Sequence, residues 1–288
     1  MLALGIDAGG TATRARAVRA GSVVHEGSGG PGNPLMVRGD ALREHYEAAL
    51  AGCPEPDVAV ACVAGSGHQE SRCRVETLLR TRFPAAAVHV LPDYAAAWAA
   101  APANAAAVVV AGTGSVVCTR REDGTFRVSG GLGWMIGDHG SAARLGRALL
   151  DWYASAYPEP LPASAVEALA GVYGTVEVHG LARRLGEAPA PTAELARAAP
   201  VLSAAAAAGH EHARHLVTAE MARLAATAAS HLDGDAGLVS LAGGVWRSDA
   251  CRDAFTHALA RLAPGASTAT GENPPVEGAV ALAHELVA

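Results

Sequence analysis

The sequence predicts an α/β protein made of two similar halves. Three apolar segments run directly into glycines: LALGIDAG at 2–9, AAAVVVAG at 105–112 and GLVSLAGG at 237–244. Each has the length and composition of a buried strand, and further strand-like segments follow the first two at once. An apolar strand, a glycine turn and then paired strands, used twice in one chain, predict two βββαβα-like halves that face each other across a cleft.

The elements of the first half follow from hydrophobic periodicity. TRARAVRAG alternates between apolar and polar residues, which is typical of a strand, and Leu42, Tyr46 and Leu50 share one helical face. A later helix stops near Pro84. The predicted order is strands at 2–9, 13–21 and 21–27, a helix at 40–51, a strand at 57–64, a helix at 70–82 and a strand at 86–93.

The second half begins in a stretch without charged residues, from Tyr94 to Thr119. Pro102, Asn104 and a glycine loop interrupt this stretch, so we interpret it as a helix, a turn and a buried strand rather than a membrane span. Further strands are predicted at 115–120 and 125–130, and the domains at 1–103 and 104–288. The last helix, about 276–288, is expected to pack back on the first domain.

Composition excludes several classes of function. The 288 residues carry a net charge of −6 at pH 7 and have a pI near 6.0, which argues against nucleic acid or an anionic membrane as the main partner. The sequence contains no lysine, so all 22 basic residues are arginines. This excludes a Walker A loop, the strand lysine of protein kinases and a Schiff-base lysine.

The cysteines and the amino terminus predict a cytoplasmic protein. There are 5 cysteines, an odd number, and no CxxC pair, which favours reduced, buried thiols in a reducing compartment. Met1 leads directly into an apolar strand, without the basic segment that begins a signal peptide.

The segment GIDAGGTATR has the residues of a phosphate-binding turn. Asp7 ends a buried strand and is positioned to hold a hydrated Mg²⁺. Gly9 and Gly10 allow backbone amides to approach phosphate oxygens, and Thr11 and Thr13 offer hydroxyl groups. The alternative is a simple hairpin turn after an edge strand, which does not require a buried aspartate followed by GGT.

Two later glycine turns complete this pattern. The second turn, AGTGS, comprises Gly112, Thr113, Gly114 and Ser115. A GTG turn alone is weak evidence, but here it repeats the design of the first half, so two turns could grip one triphosphate. LAGGV ends a strand with Gly243 and Gly244, whose backbone can pass beside an adenine or a ribose.

Two further aspartates have the surroundings of a substrate site. Asp93 ends the strand AVHVLPD and starts a helix, where it can be an N-cap, a general base for an attacking hydroxyl, or both. Asp138 lies in GGLGWMIGDHGSAARLG, where it either forms an Asx-type turn at a helix start or accepts hydrogen bonds from two sugar hydroxyls. We favour the base for Asp93, and the many glycines around Asp138 favour a polyhydroxylated ligand.

Together these motifs resemble those of the sugar kinase/Hsp70/actin superfamily over nearly the whole chain. GIDAGGTATR, AGTGS and LAGGV are similar to its phosphate-1, phosphate-2 and adenosine motifs, and PDYAAAWAA and GGLGWMIGDHGSA to the catalytic and sugar-binding segments of N-acetylglucosamine kinases. That branch is grouped with the BadF/BadG/BcrA/BcrD-type ATPases. The resemblance implies two ribonuclease H-like (actin-like ATPase) domains that face each other across a nucleotide cleft, ATP and Mg²⁺ as cofactors, a sugar as substrate and a homodimer.

The resemblance also assigns a role to each motif position. Asp7 would organise the metal, and Asp93 would be the base. The phosphates would be bound by Gly9, Gly10, Thr11, Thr113 and Gly114, and Gly243 and Gly244 would flank adenosine. Asn33 in GGPGNP, Ser66 in AGSGHQE, Asp93, Gly131 and Asp138 would line the sugar pocket.

Two positions depart from the family pattern. The family's GWG is Gly131-Leu132-Gly133 here, so an aromatic wall of the sugar site is missing, and its GDEGS is GDHGS, with His139 at the usual glutamate. Phosphoryl transfer depends less on these positions than recognition of the sugar does. The resemblance therefore leaves open which sugar is bound, which hydroxyl is phosphorylated and whether an N-acetyl group is recognised.

Three functions fit the sequence. The leading hypothesis is ATP-dependent phosphorylation of an amino sugar, N-acetylglucosamine or glucosamine, or of a related hexose. The second is an ATP-driven activator of a CoA-ester dehydratase or reductase, but such relatives hold an iron–sulfur cluster through cysteines and have a DIGGQD-like loop where this chain has AGTGS. The third is a non-catalytic sugar sensor, against which Asp7 and Asp93 argue.

Overall fold

Two five-stranded mixed sheets form the framework of the computed structural model, which describes residues 1–37, 39–271 and 273–286. The chain divides into two units, Met1–Ala103 with Gly271–Ala288, and Asn104–Thr270. Each unit contains one sheet together with helices, so the predicted α/β class is confirmed.

The first unit has three antiparallel strands followed by parallel ones. Its sheet has the order β3-β2-β1-β4-β5, in which β1 pairs antiparallel with β2 and parallel with β4. The strands and helices predicted up to residue 93 are all present. The elements are β1 (Leu2–Ala8), β2 (Thr13–Arg19), β3 (Ser22–Gly29), α1 (Asp40–Ala49), β4 (Val58–Val63), α2 (Gln69–Arg82), β5 (Ala87–Pro92) and α3 (Asp93–Ala99).

The second unit repeats this arrangement and adds helices. Its sheet has the order β10-β9-β6-β7-β8, which is the order of the first sheet with β6 in the place of β1. The last strand was not predicted, because GASTAT contains no large apolar side chain. The elements are β6 (Ala105–Ala111), β7 (Ser115–Arg120), β8 (Phe126–Gly130), α4 (Ala142–Ser155), α5 (Ala163–Tyr173), α6 (Val178–Glu187), α7 (Pro191–Ala196), α8 (Ala199–Ala207), α9 (Glu211–Ala229), β9 (Ala236–Ala242), a 3₁₀ helix (Gly244–Arg247), α10 (Asp249–Leu262) and β10 (Gly265–Thr270).

The final helix, α11 (Pro275–Glu285), returns to the first unit and packs on β1 and α3. Two glycines make this contact close. A Cβ atom on Gly5 would lie 2.4 Å from the backbone nitrogen of Val280, and one on Gly278 would lie 2.0 Å from the carbonyl oxygen of Ala96. A side chain at Gly5 would therefore push α11 away from β1, and one at Gly278 would push it away from α3.

Each unit has its own apolar core. In the first, Leu4 and Ile6 of β1 pack with Leu79 of α2. In the second, Trp246 of the 3₁₀ helix makes an edge-to-face contact with Phe255 at 5.0 Å between ring centroids. The Trp246 indole also donates a hydrogen bond to a carbonyl oxygen of β6, so it anchors the segment that follows β9.

The cysteines differ from expectation at one position. All five are free, and Cys53, Cys62, Cys118 and Cys251 are buried. Cys73 on α2 is exposed, so the prediction of buried thiols is wrong there. Within the described part of the chain, no helix combines the length and apolarity that crossing a membrane requires.

Candidate active site

The parallel strands of the first unit bring two carboxylates to one edge of the sheet. Asp7, near the end of β1, lies opposite Cys62 of β4, and Cys62 lies opposite Leu91 of β5. Asp93 follows β5 directly as the first residue of α3. Parallel strands end at the same edge, so Asp7 and Asp93 face a common region, as the ends of strands in α/β sheets do at ligand sites.

The charge of Asp93 acts on Asp7. Burial, and then the charge of Asp93, raise the pKa of Asp7 from 3.8 to about 6, while Arg14 acts in the opposite direction. Burial also raises the pKa of the Cys62 thiol, and both carboxylates add to this effect. The edge therefore concentrates negative charge that a cation would offset.

This donor set fits a magnesium ion shared with phosphate. Mg²⁺ is usually held by one or two carboxylates together with waters and phosphate oxygens, rather than by an all-protein cage. Asp7 and Asp93 supply carboxylate oxygens at one edge. In the residues that the structure describes, no group of three or more His, Cys, Asp or Glu side chains could enclose a metal.

Arg14 is a charged neighbour that sequence reasoning missed. It is the cross-strand partner of Asp7 in the β1–β2 pair, so both side chains lie on the same face of the sheet. Two residues along that face, Arg16 pairs with Glu26 at 3.2 Å and with Glu277 of α11. Arg14, by contrast, is exposed beside Asp7. The antiparallel register of the hairpin would have pointed to it.

The β1–β2 turn contains the predicted phosphate-binding residues Gly9, Gly10 and Thr11. The Gly9 amide donates to the carbonyl of Ala12 at 2.9 Å, and the Gly9 carbonyl accepts from Gly32 at 2.9 Å. Thr11 is exposed in this turn. The turn is thereby held against the glycine-rich loop after β3.

The expected phosphate contact of Thr13 requires a correction. Its side chain is fully buried, and its hydroxyl donates to the carbonyl of Gly30 at 2.9 Å. Alternation along β2 turns Thr13 toward the core while Arg14 faces outward. The Thr13 hydroxyl therefore fixes the glycine-rich loop and does not face a ligand.

Asn33 and Ser66 lie in adjoining loops at the same edge. The Asn33 Oδ1 accepts from the Leu35 amide at 2.9 Å, and a Cβ atom on Gly65 would lie 2.4 Å from that oxygen. Ser66 is buried, and its hydroxyl donates to the carbonyl of Leu91 at 3.3 Å. Ser66 therefore holds the end of β5 just before Asp93, and its hydroxyl is already engaged.

Asp93 differs slightly from its predicted cap position. Pro92 occupies the N-cap of α3, and Asp93 is the first helical residue. Its Oδ1 accepts from the backbone amide of Tyr94 at 3.0 Å. The carboxylate is partly exposed and oriented by its own helix, which suits a group that must meet a substrate hydroxyl.

In the second unit, the turn Gly112–Gly114 is tied to α4. The amides of Ala142 and Ala143 donate to the carbonyls of Gly112 and Thr113, at 2.8 and 3.2 Å. A Cβ atom on Gly112 would meet open space. The Ser115 hydroxyl is buried and donates to the carbonyl of His139 at 2.8 Å, so the phosphate contact expected of that hydroxyl is corrected to a structural bond.

The loop after β8 places Asp138 against the same turn. Its Oδ1 accepts from the Gly133 amide at 3.2 Å, and a Cβ atom on Gly114 would lie 2.7 Å from its Oδ2. Gly131 donates to the carbonyl of Ser115 at 2.9 Å. Burial raises the pKa of Asp138, and backbone amides of the loop partly offset that rise. The predicted sugar and phosphate segments of this unit are therefore adjacent.

Gly243 and Gly244 lie beside the end of β6. Gly243 has a φ of 109°, and a Cβ atom on it would lie 2.4 Å from the carbonyl oxygen of Ala111. A Cβ atom on Gly244 would meet open space. The LAGGV and AGTGS motifs are thus in contact, and the backbone of Gly244 is accessible from outside.

Glu220 of α9 is a second residue that sequence reasoning missed. It is buried, and it accepts from Arg144 at 2.7 Å and from the Gly140 amide at 3.0 Å. Burial alone would raise the pKa of Glu220, but these bonds outweigh it and the pKa is lowered. His139 Nδ1 lies 3.6 Å from the same carboxylate. The sequence does contain a sign of this role, because Glu220 is the one acidic residue on the apolar face of α9.

Known proteins similar to the chain agree with this architecture. The sequence profile described as the BadF/BadG/BcrA/BcrD ATPase family matches residues 4–283. No curated protein matches the chain. A candidate N-acetylglucosamine kinase from Chromobacterium violaceum is similar with a TM-score of 0.75 and 23% identity, and 98% of each chain is covered.

Two further solved structures share the fold. A candidate N-acetylglucosamine kinase from Porphyromonas gingivalis has a TM-score of 0.78 and 19% identity, over 99% of this chain and 100% of that one. A ROK family glucokinase from Streptomyces griseus, in complex with glucose and AMPPNP, has a TM-score of 0.66 and 20% identity, over 99% and 100%. At these identities the similarity establishes a two-domain fold of the actin-like ATPase and ROK kinase type.

Proposed function

Because the chain belongs to the BadF/BadG/BcrA/BcrD ATPase family, we propose that it is an ATP-dependent kinase that phosphorylates a hydroxyl of an amino sugar or a related hexose. One observation carries this proposal. Asp7 and Asp93 lie at the same edge of one sheet, and their charges interact. One carboxylate can hold a metal while the other accepts a proton, and hydroxyl phosphorylation requires both.

The glycine turns would hold the nucleotide. Asp7 would hold Mg²⁺, and the backbone at Gly9, Gly10 and Thr11 would face phosphate oxygens. In the second unit, the turn Gly112–Gly114 would contribute further phosphate contacts, and Gly243 and Gly244 would flank adenosine. MgATP, when bound, supplies the γ-phosphoryl group and offsets its charge.

The remaining residues would position and activate the sugar. Asp93 would accept the proton of the attacking hydroxyl as its oxygen bonds to phosphorus. Arg14, exposed beside Asp7, would offset charge that develops on the phosphoryl oxygens. Hydroxyls of the sugar would be held by Asn33, Gly131 and Asp138, with Ser66 acting indirectly by fixing the end of β5.

The test is sugar-dependent ADP formation by the purified protein. A panel of glucosamine, N-acetylglucosamine, glucose and other hexoses is assayed with MgATP, and the product is analysed for a sugar phosphate. We expect turnover with at least one amino sugar or hexose. Absence of sugar-dependent turnover across the panel, in protein that binds MgATP, would overturn the kinase assignment in favour of a sugar sensor or an activator.

Two simple measurements address the other expectations. An activator would carry a coloured iron–sulfur cluster, so the visible spectrum of the purified protein separates it from a colourless kinase. We also propose a homodimer, which light scattering after size-exclusion chromatography would show as twice the mass of 28.9 kDa.

A further inference from the structure

A cavity of about 480 Å³ opens in the second unit beside Asp138. Its walls include Val116 of β7 and Leu224 of α9, both buried, and Leu132 and Ile136 of the loop before Asp138. This volume lies within the range of about 300–1,000 Å³ that is usual for small-molecule sites. Asp138 contributes to the wall together with Ser115, Ser129 and Thr227, so a ligand held by that carboxylate would also border the apolar side chains named above.

The loop beside this cavity is unusually apolar for a surface exposed to water. Leu132, Met135 and Ile136 are exposed by 65%, 76% and 78%, and they stand within five residues of one another. A hydrogen bond from Gly137 to the carbonyl of Gly133, at 2.8 Å, closes the loop into a turn that presents them. Clustered, exposed apolar side chains next to a polar group are typical of a binding site.

We propose that this cavity receives an apolar acyl substituent of the sugar, and that the substrate class is an N-acylated amino sugar whose acyl chain is longer than acetyl. The inference rests on the proposed function of Asp138 as a sugar ligand. A water molecule takes about 30 Å³ in the liquid, so the cavity has room for far more than the methyl of an acetyl group. Buried Val116 and Leu224 give apolar contacts in the wall, and Leu132 and Ile136 would be covered when the chain is bound.

Leu132 is the residue that limits how long an acyl chain the cavity can hold. It stands in this loop and in the wall, and its Cβ atom already lies against Gly137, where an added Cβ would be 2.9 Å away. A tryptophan at this position would occupy the space that the acyl chain needs. Met135 belongs to the same loop and is similarly exposed, but it does not line the cavity, so it offers a matched control.

The experiment compares kcat/KM for glucosamine and for its N-acetyl, N-butanoyl and N-hexanoyl derivatives. We expect kcat/KM to rise with chain length by about fourfold for each methylene that becomes buried. Leu132→Trp should lower the ratio of hexanoyl to acetyl kcat/KM by at least about tenfold, and Met135→Trp should leave that ratio unchanged. Calorimetric binding of N-hexanoylglucosamine to wild type and Leu132→Trp gives a second readout that needs no turnover.

The outcomes separate this inference from the proposed function. An active kinase whose kcat/KM is flat or falls with chain length overturns the acyl cavity and leaves the kinase standing. Binding of N-hexanoylglucosamine that Leu132→Trp weakens, without turnover of any sugar, supports the cavity and overturns the kinase. If Leu132→Trp instead changes the mass in light scattering and leaves the acyl series intact, the apolar loop is covered by a second copy and the inference is wrong.

Discussion

At the scale of single residues, the charge of Asp7 links stability to the proposed chemistry. Its pKa is raised to about 6, mainly by burial, and folded protein therefore holds this proton more tightly than the unfolded chain does. The contribution of Asp7 to the free energy of unfolding is therefore fully present below about pH 4 and is lost as the pH rises through about 6. A cation bound beside Asp7 would reverse this loss, since it stabilises the ionised form.

We expect Asp7→Asn to stabilise the protein at neutral pH while abolishing turnover. A pKa shift from 3.8 to about 6 corresponds to up to about 3 kcal/mol in the free energy of unfolding. The variant should exceed wild type by this amount above about pH 6 and should not differ from it below about pH 4. Urea unfolding between pH 4 and pH 8 measures it. If the difference in free energy of unfolding between Asp7→Asn and wild type does not change with pH, burial does not raise the pKa of Asp7.

Asp93→Asn should lower sugar-dependent turnover by about 10²–10⁴ and leave nucleotide affinity near that of wild type, because only the proton acceptor is lost. Asp249→Asn is the matched control, since Asp249 is likewise the first residue of a helix, α10. Steady-state kinetics and nucleotide titration check both variants. Turnover near the wild-type value in Asp93→Asn would remove this residue from the mechanism.

Arg14→Gln should reduce kcat by about 10–100-fold, the worth of one charged hydrogen bond made to the transferring group. Arg16→Gln lies on the same face but breaks ion pairs with Glu26 and Glu277. It should therefore lower the free energy of unfolding rather than kcat. If the two variants show the same kinetic and stability profiles, Arg14 is a structural residue as well.

At the scale of elements, α9 holds the loop that carries Asp138. Glu220 connects that helix to Arg144 of α4 and to the backbone of Gly140, two residues after Asp138. The carboxylate is largely buried, so the ion pair is shielded from solvent. The helix therefore sets the position of a residue proposed to bind the sugar.

Glu220→Gln should raise KM for the sugar more than it lowers kcat, and should reduce stability by about 2–3 kcal/mol, because Arg144 would lose its charged partner in a partly buried site. Arg43→Gln, which breaks the exposed pair with Glu47, is the control and should change stability by less than about 1 kcal/mol. Sugar titrations and thermal unfolding give the comparison. An unaltered KM in Glu220→Gln would mean that the loop is held by other contacts.

Local pattern predicted the elements up to residue 93 but not β10. Asp7 and Asp93 could be placed at one edge because each ends a strand that reads as buried. Arg14 follows only once the register of the hairpin pairs it with Asp7, and the partners of Glu220 depend on a contact across 80 residues that local pattern does not give. Thr13 shows the opposite error, because strand alternation would already have turned its hydroxyl inward.

At the scale of the whole molecule, one sheet order is used twice, but the residues proposed to act are divided between the two units. The strand-end acids belong to the first unit, whereas the second supplies glycine turns and Asp138. The first unit is also discontinuous, because α11 completes it from the far end of the chain. Its stability therefore depends on the fit between Gly278 and the carbonyl of Ala96.

Gly278→Ala should destabilise the protein by about 1–3 kcal/mol, because its methyl group would lie 2.0 Å from the Ala96 oxygen. Gly171→Ala is the matched control: it is also a glycine within a helix, α5, but a Cβ there meets open space. The free energy of unfolding of Gly171→Ala should rise by up to about 1 kcal/mol, because alanine favours the helix more than glycine does. Chemical denaturation decides, and a loss of equal size in both variants would refute the role of the α11 contact.

The return of α11 also fixes the order in which this protein can be finished during synthesis. The strands made first leave the ribosome without the helix that covers β1, and the residues of the entire second unit are added before that helix is made. At about 5–20 residues per second, the amino-terminal sheet waits roughly 10–30 s for its last element. The unit that carries Asp7 and Asp93 is thus synthesised first and completed last. Nascent chains that lack α11 expose an apolar face of this unit, which molecular chaperones are suited to protect.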